Sequence, residues 1–478
     1  MIATRSGGFV TAVAMVISIT AVGTAQATKA EETQDAPKRC HGHQVTIHGT
    51  KDDDRIAGTP GRDVIDSGNG DDTIKARGGN DIVCAGKGAD ALFGGSGRDL
   101  LDGGPDRVVK GFQWRIHGDR FIGGPGNDRM IGGGDKDLPD AAWWRSRDRV
   151  EFPGATGAIT VGKRGVVRGP GVGRDRLLGG MQRISGTRWA DDITVRGDWD
   201  VAARDGNDRV RVLPGRHYNQ FWPLIEGQGG DDRLDASRAD RTNYYHELDG
   251  GTGRDRLIGS DHDDRILDPA GAGVVRAGGG KDDQVRAMSR MTVFGQGGRD
   301  VIQLQVRKGR LRPINGGAGR DRLGLTQRFA GDIDVRVPAH RLRIGRRETR
   351  LRSVEGFGLR ARNADVRFVG GKGSQDVSTL LSKGQVARIR LGAGNDRYEH
   401  TNGRHPRGLD RTVVHGGTGS DTLFGGDGPD RLFGGRGDDG MYGYRANDRL
   451  RGGKGRDTSG GGGGNDLCRA EKKRNCER

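Results

Sequence analysis

The sequence predicts an all-β protein whose short strands stack as a parallel solenoid. Three observations support this fold class: aspartates recur every nine residues near both ends of the chain, a large apolar residue usually stands two positions after each, and glycine is abundant before it. With 90 glycines among 478 residues and a mean hydropathy of −0.72, the chain has too few apolar side chains to fill a broad core. A solenoid needs only a narrow core.

The nine-residue unit divides into a turn of about six residues followed by a strand of about three. The turn from Gly425 to Asp430 (Gly-Gly-Asp-Gly-Pro-Asp) shows the full pattern. Glycine suits such a turn because several of its positions require positive φ or lie against a neighbouring chain. Side chains alternate along the strand, so only the apolar residue points inward, and two units form one coil that stacks about 4.8 Å from the next.

Stacking brings the aspartates of alternate units onto one edge of the solenoid, where their carboxylates repel one another. Turn carbonyls point toward them, and Ca²⁺ accepts such oxygen ligands in a flexible geometry that Mg²⁺ does not tolerate. Three turns on an edge enclose two sites, so we expect about four ions in each block of six units. The predicted ligands are Asp54, Asp63, Asp72, Asp81, Asp90, Asp99, Asp119, Asp128, Asp255, Asp264, Asp421, Asp430, Asp439, Asp448, Asp457 and Asp466.

At these aspartates and glycines the chain resembles the RTX, or haemolysin-type calcium-binding repeat, family. The resemblance implies a right-handed parallel β-roll or β-helix solenoid with Ca²⁺ between successive turns, held by the aspartates named above. Three positions depart from the repeat: Asp52 and Ala446 replace a turn glycine, and Ser459 replaces the apolar strand residue. We expect these turns to bind calcium less tightly.

The N-terminal residues 1–27 predict a secretory signal peptide, since a basic residue precedes an apolar stretch and Ala-Gln-Ala at 25–27 provides a small-x-small cleavage pattern. An uncleaved membrane anchor is the alternative, although the apolar stretch is short for a span. Secretion permits disulfides, and four cysteines allow three pairings. Proximity favours Cys40–Cys84 and Cys468–Cys476. No segment of the mature chain is apolar enough to cross a bilayer.

We interpret the mature chain as one continuous solenoid, and the regularity of the repeat divides it into segments. Residues 28–48 form a lead or cap. The remaining segments are a calcium-binding β-roll (49–140), a degenerate solenoid spacer (141–225), degenerate calcium-binding repeats (226–325), basic metal-free β-helix coils (326–414) and a second calcium-binding β-roll with a disulfide cap (415–478).

The chain has a formal net charge of +16 at pH 7, and between Arg307 and Arg367 17 basic residues meet 6 acidic ones. One interpretation is that Arg307–Arg367 adheres to an anionic cell-wall polymer or polysaccharide outside the cell. The other is a solvated arginine face. Specific nucleic-acid binding is disfavoured, because aromatic side chains for base stacking are scarce in this segment.

No His-Glu-x-x-His zinc motif, Gly-x-Ser-x-Gly elbow or phosphate loop occurs in the sequence. We therefore expect a non-enzymatic secreted protein that folds with calcium and acts outside the cell or at its surface in binding or structure. The alternative is an extracellular polysaccharide lyase or epimerase built on a β-helix. A groove with clustered aspartate, arginine and aromatic side chains near residues 140–225 would favour that enzyme.

Overall fold

The computed structural model describes residues 38–106, 118–133, 148–197, 199–215, 223–239, 246–307, 309–327, 331–382, 384–401 and 410–476. Over these residues the unit from Arg39 to Arg478 is built of β-strands without a helix, and most strands run parallel in two stacked sheets. This confirms the predicted all-β parallel solenoid. The described residues accordingly offer no apolar helix of membrane-spanning length. The predicted signal peptide, residues 1–27, lies outside the described residues.

Strands are numbered in chain order, and each coil contributes one strand to each sheet. The first sheet contains β4 (Arg55–Ala57), β6 (Thr73–Lys75), β8 (Ala91–Phe93), β10 (Arg120–Ile122), β12 (Asp148–Val150), β16 (Met181–Ser185), β18 (Asp200–Ala202), β20 (Leu224–Glu226), β22 (Glu247–Asp249), β24 (Arg265–Asp268), β26 (Gln284–Met288), β28 (Val301–Val306), β30 (Arg322–Gln327), β34 (Gly356–Ala361), β36 (Asp376–Leu380), β38 (Arg397–His400), β40 (Thr422–Gly426), β42 (Gly440–Arg445), β44 (Thr458–Gly463) and β46 (Lys472–Arg474).

The second sheet stacks on the first and includes two strands that run antiparallel to their neighbours. It contains β3 (Ile47–His48), β5 (Val64–Asp66), β7 (Ile82–Cys84), β9 (Leu100–Asp102), β11 (Arg129–Ile131), β13 (Thr160–Val161), β14 (Val166–Gly169), β15 (Gly173–Leu178), β17 (Asp192–Arg196), β19 (Arg209–Leu213), β21 (Arg233–Asp235), β23 (Arg254–Ile258), β25 (Ala272–Gly278), β27 (Met291–Gly297), β29 (Ile314–Ala318), β31 (Ile333–Arg336), β32 (Arg341–Ile344), β33 (Arg347–Arg352), β35 (Val366–Val369), β37 (Val386–Ala393), β39 (Arg411–Thr418), β41 (Arg431–Arg436), β43 (Arg449–Lys454) and β45 (Leu467–Arg469).

The coil in the regular blocks is 18 residues long. Arg55 pairs with Thr73 in the first sheet, and Val64 pairs with Ile82 in the second, so two nine-residue units complete one circuit. Each regular strand buries one apolar side chain between the sheets, such as Ile74. Burial of one such side chain contributes about 1.5–3 kcal/mol, which is little against the entropy lost by the residues of a whole coil. The coils therefore need a further source of stability.

Two hairpin excursions interrupt the parallel stacking of the second sheet. β14 pairs antiparallel with both β13 and β15, and β32 does the same with β31 and β33. Side chains alternate along β32, since Arg343 is exposed between buried Leu342 and Ile344. Part of the predicted basic coils (326–414) reverses direction instead of continuing as coils, because Gly345, at φ 60°, permits a tight turn between β32 and β33.

Both predicted disulfides are present. The hairpin of β1 (Arg39–Cys40) and β2 (His43–Gln44) packs beside Val64 and Ile82, and the Cys40–Cys84 bridge fixes it to β7. Val64 lies next to Ile65, which points into the core, so the hairpin covers the outer face of the second sheet rather than the end of the stack. The Cys468–Cys476 bridge closes the C-terminal loop.

Candidate calcium sites

The repeat aspartates form two ladders, one along each edge of the solenoid, and each ladder consists of several runs. In each ladder the backbone N–H of one aspartate donates to Oδ1 of the aspartate in the next coil, with N···O distances of 2.7–3.3 Å. The first ladder, which leads into the first sheet, contains Asp54, Asp72, Asp90, Asp119 and Asp148, then Asp264, Asp283, Asp300 and Asp321, then Asp396, Asp421, Asp439 and Asp457. The second contains Asp63, Asp81, Asp99, Asp128 and Asp175, then Asp191, Asp208, Asp232 and Asp255, then Asp430, Asp448 and Asp466.

The other carboxylate oxygen, Oδ2, is buried and lacks a hydrogen-bond partner in most of these aspartates. Such an oxygen is costly to bury unless another group neutralises it. It occurs in Asp72, Asp81, Asp90, Asp99, Asp128, Asp175, Asp208, Asp232, Asp255, Asp283, Asp300, Asp321, Asp396, Asp421, Asp430, Asp439, Asp448, Asp457 and Asp466.

A cradle of oxygen atoms surrounds this Oδ2. A Cβ added to Gly425, the first residue of its turn, would lie 2.5 Å from Asp430 Oδ2 and 3.0 Å from the carbonyl oxygen of Gly443 in the next coil. Gly94 has the same surroundings, with Asp99 Oδ2 at 2.5 Å and the Gly123 carbonyl oxygen at 2.6 Å. Unpaired carboxylate oxygens beside carbonyl oxygens are the hard donor set that Ca²⁺ prefers. The residues present therefore fit calcium.

Burial raises the pKa of Asp430, Asp439 and Asp448, and neighbouring carboxylates raise it further. The pKa is about 6 for Asp439, about 7 for Asp430 and about 8 for Asp448. The backbone N–H that each carboxylate accepts lowers the pKa but does not outweigh the burial. A divalent cation at the cradle would supply the missing positive charge and favour the ionised carboxylates.

The structure places every predicted calcium ligand in one of the two ladders. Asp54, Asp63 and Asp264 differ from the others, because their Oδ2 atoms accept hydrogen bonds from within the turn. Several ladder members lay outside the predicted ligand set, including Asp175 and Asp208. Asp175 follows Asp128 by 47 residues and Asp208 follows Asp191 by 17, so a fixed spacing of nine or 18 residues does not find them. The Gly-x-Asp-x-apolar pattern around each would have done so.

The departures from the repeat have specific structural outcomes. Ala446 adopts φ 72°, the left-handed conformation for which glycine is preferred at this turn position. Ser459 is fully buried with its Oγ unpartnered. Asp457 is the last aspartate of its ladder, and its N–H donates to Glu471 at 2.7 Å, so a glutamate continues the ladder. Glu355 does the same for Asp321, since its longer side chain still reaches the backbone N–H.

A second set of side chains, the outer ladder, connects the coils in the opposite direction. The residue just before the ladder aspartate is often asparagine or aspartate, and its side-chain oxygen accepts an N–H from the next coil. Asn80 accepts from Arg98, and Asn447 accepts from Asn465, at 2.8 and 2.9 Å. Other members are Asp53, Asp71, Asn127, Asn207, Asp231, Asn395 and Asp438. The frequent Asn-Asp pair in the repeat therefore has a structural cause that spacing alone did not indicate.

One turn carries its aspartate at an unexpected position. Where the repeat would place an aspartate after Asp255, the chain has Gly273, which pairs with Asp255 across the sheet. Asp268, five residues earlier in the position of the first turn glycine, is fully buried with its Oδ2 unpartnered. Burial, together with the nearby Asp255 carboxylate, raises the pKa of Asp268 to about 8. The turn thus keeps a carboxylate, supplied from its opposite end.

These features define a parallel β-solenoid whose acidic turns are built to hold cations between coils. The family model of the RTX calcium-binding nonapeptide repeat matches residues 48–83, 78–107, 117–138, 247–267, 415–445 and 441–468. The chain thus carries several copies of the RTX calcium-binding repeat on a β-solenoid. A comparison with curated proteins found no match.

A basic surface covers the outer face of the second sheet near the C-terminus. We call it the basic face, and it consists of the outward residues of β41, β43 and β45. Arg431 pairs with Arg449, and Phe433 pairs with Arg451 and Arg451 with Arg469 in successive coils. Arg436 and Lys454 extend this face along the strands, and no acidic residue occupies an outward position of these three strands.

Proposed function

We propose that this protein is a secreted, non-enzymatic scaffold that folds when calcium enters the turns and then presents a basic surface to an anionic polymer outside the cell. The buried, unpartnered Oδ2 atoms of the ladders carry the first part of the proposal. Each coil buries few apolar side chains, so uncompensated carboxylates would oppose stacking and bound cations would reverse the effect. The repeats are typical of secreted bacterial proteins, which supports an extracellular location.

Calcium-dependent folding is tested by circular dichroism of the mature chain. After exhaustive chelation we expect the β-sheet spectrum to be largely lost, and we expect it to return cooperatively at roughly 10⁻⁴–10⁻³ M Ca²⁺, the range of extracellular calcium modules. Magnesium at equal concentration is the control and should restore little structure. Identical spectra in chelator and calcium would contradict the proposal.

The basic face supports the second part of the proposal. Arginines on adjacent coils stand one strand spacing apart, about 4.8 Å, which allows one extended anionic chain to contact several of them. The Arg307–Arg367 segment also contributes exposed arginines, Arg343, Arg350 and Arg352. Arg343, however, already forms an ion pair with Asp334 at 3.4 Å, which partly neutralises its charge. We therefore expect the basic face to contribute more to adhesion than the Arg307–Arg367 segment.

Charge reversal tests this adhesion. The variant carrying Arg431→Glu, Arg449→Glu and Arg451→Glu should lose retention on acidic polysaccharide, and wild-type retention should fall steeply with salt, as expected when many charges are neutralised.

Two further variants control this test. Replacing Arg129, Arg176 and Arg256 by Glu is the matched control, since these exposed arginines follow ladder aspartates as Arg431 and Arg449 do. Replacing Arg343, Arg350 and Arg352 by Glu measures the segment predicted from sequence. Equal retention by all variants would refute adhesion through either surface.

The enzyme alternative depends on the region around residues 148–238. A cavity of about 480 Å³ there is lined by Lys163, Arg209, Arg211 and Asp235, among others. Asp235 is held by Arg233 at 2.6 Å, and hydrogen bonds from Ser237 and Arg233 lower its pKa despite burial. A carboxylate held in this way is a weak base, which favours anion binding over polysaccharide cleavage. Chain-length analysis of anionic polysaccharides after incubation with the protein tests this directly, and shortened chains would establish the enzyme.

A further inference from the structure

Among the residues that the structure describes, five turns are closed by their own side chains and differ in this from the open turns described above. In the turn of Asp63, the N–H and the hydroxyl of Thr59 both donate to Asp63 Oδ2, at 2.6 and 3.0 Å, and the same hydroxyl accepts the N–H of Gly61 at 3.1 Å. Thr50, Thr187 and Ser260 make the equivalent bonds to Asp54, Asp191 and Asp264. The oxygen that an open turn leaves for a cation is satisfied internally here.

The fifth closed turn uses an amide in place of the carboxylate. Gln375 stands at the aspartate position, and its Oε1 accepts the N–H of Gly371 at 2.8 Å. Its Nε2 donates to the carbonyl oxygen of Gly373 within the same turn. The amide group thus supplies both the acceptor and a donor directed at a turn carbonyl.

The backbone separates the two kinds of turn. At the second turn position, open turns adopt positive φ even where the residue is not glycine: φ is 80° at Arg77, 79° at Arg204, 72° at Gln228, 81° at Gln296 and 80° at Tyr444. Such conformations are strained for residues with a Cβ and concentrate at functional sites. The equivalent Thr50, Thr59, Thr187 and Ser260 are not among the described residues with positive φ. The hydroxyl therefore accompanies a different, unstrained turn.

The closed turns stand at the N-terminal starts of the runs of open turns. Thr50 and Thr59 close both edges of the first coil, before the runs that begin at Asp72 and Asp81. The closed turns of Asp191, Asp264 and Gln375 precede the runs that begin at Asp208, Asp283 and Asp396. The remaining run begins at Asp430, where the hydroxyl of Thr412 in the preceding coil donates to Asp430 Oδ1 at 3.0 Å.

We propose that the serine or threonine at the second turn position, or Gln375 at the sixth, replaces calcium in the turn that precedes five of the six runs. These caps form without metal and offer a preformed coil on which the calcium-dependent coils stack, much as a capping side chain satisfies the start of a helix. Asp54, Asp63 and Asp264 then hold the structure without serving as principal calcium ligands. The assignment rests on the proposed calcium-dependent folding.

The test compares variants of one turn of each kind in the full mature chain, using equilibrium dialysis for bound calcium. Thr59→Gly removes the cap and should gain about one bound calcium ion, whereas Thr59→Val, which lacks the hydroxyl but stays β-branched, should not. In the open turn of Asp81, Arg77→Thr should lower calcium binding relative to Arg77→Val. Unchanged binding in both Thr59→Gly and Arg77→Thr would overturn the inference.

A second readout does not require calcium. In chelator, amide hydrogen exchange of wild-type protein should show slower exchange for residues 49–66 than for the open coils, and Thr59→Val should remove that protection. Wild-type protein that binds no calcium would refute the proposed function alone. If residues 49–66 exchange equally fast in Thr59→Val and in wild type, the proposal that Thr59 caps the run is refuted, even if calcium binds as proposed.

Discussion

Filling one cradle without removing its carboxylate is the sharpest test of the ladder sites. The change is Gly425→Ala, whose new methyl group would lie 2.5 Å from Asp430 Oδ2 and 3.0 Å from the Gly443 carbonyl oxygen. Gly425 is not among the residues with positive φ, so alanine suits its backbone and the effect is confined to the cradle. Gly440→Ala is the matched control, since its nearest neighbour, a Tyr442 ring carbon, lies 3.8 Å away.

The magnitude has a calcium-independent and a calcium-dependent component. Overpacking should cost about 1–3 kcal/mol at every calcium concentration. At about 10 mM Ca²⁺, a site with a dissociation constant of roughly 10⁻⁴–10⁻³ M contributes about 1.4–2.7 kcal/mol, and Gly425→Ala should lose that amount as well. The control should change stability by at most about 1 kcal/mol, because it only replaces a strand glycine.

The assay is urea denaturation followed by circular dichroism at two calcium concentrations, about 1 mM and about 10 mM, because the chelated protein is expected to be largely unfolded. The quantity to compare is the increase in unfolding free energy between the two concentrations, since it cancels the strain common to both conditions. We expect a smaller increase for Gly425→Ala than for wild type and Gly440→Ala. An equal increase in all three proteins would show that the cradle beside Asp430 does not hold calcium.

Three further predictions concern protons, the relocated carboxylate and the disulfides. The folded pKa values of Asp439 and Asp448 are raised to about 6 and about 8, so protons should compete with calcium, and titration calorimetry should show calcium affinity falling as pH drops from 8 to 6. The raised pKa values also mean that the folded chain binds more protons than the unfolded chain, so the chelated protein should lose stability as pH rises from about 4 to 8. A pH-independent calcium affinity would contradict both expectations. Asp268→Asn should remove about one bound calcium in equilibrium dialysis, and an unchanged count would show that its carboxylate is structural only. Loss of a disulfide removes an entropic constraint on the unfolded chain, and the loss grows with the length of the loop that the disulfide closes. Cys40→Ser opens a loop of 44 residues and should lower the free energy of unfolding by about 4 kcal/mol, and Cys476→Ser opens a loop of 8 residues and should lower it by about 2.5 kcal/mol. A larger loss for Cys476→Ser in thermal melts would contradict this.

The fold was predictable because the information that specifies it repeats locally. A spacing of nine residues determines both the 18-residue register and the edge on which each aspartate lies, as the pairing of Arg55 with Thr73 shows. The disulfide pairings were predictable from proximity because Cys84 lies in the coil that the N-terminal hairpin can reach. The nine-residue repeat thus predicts the register wherever no loop or hairpin interrupts the coils.

The remaining features depend on contacts that sequence spacing does not encode. Asp175 joins Asp128 only because a hairpin excursion loops out between them. Asp268 replaces a missing aspartate from the other end of its turn, a substitution visible only once the turn is folded. The role of Thr59 was missed because a threonine in place of glycine looks like a weakened repeat, whereas its hydroxyl satisfies the carboxylate.

The opposite directions of the two kinds of ladder have a consequence for how the chain can change in length. A ladder aspartate such as Asp99 accepts from the coil before it, and an outer-ladder residue such as Asn80 accepts from the coil after it. An inserted or deleted 18-residue coil would therefore leave every junction with the same set of bonds, and such solenoids can lengthen by duplication of whole coils. A change of nine residues would exchange the two edges for everything that follows. The basic face would then lie on the opposite side of the molecule, so selection for that surface would favour whole-coil steps.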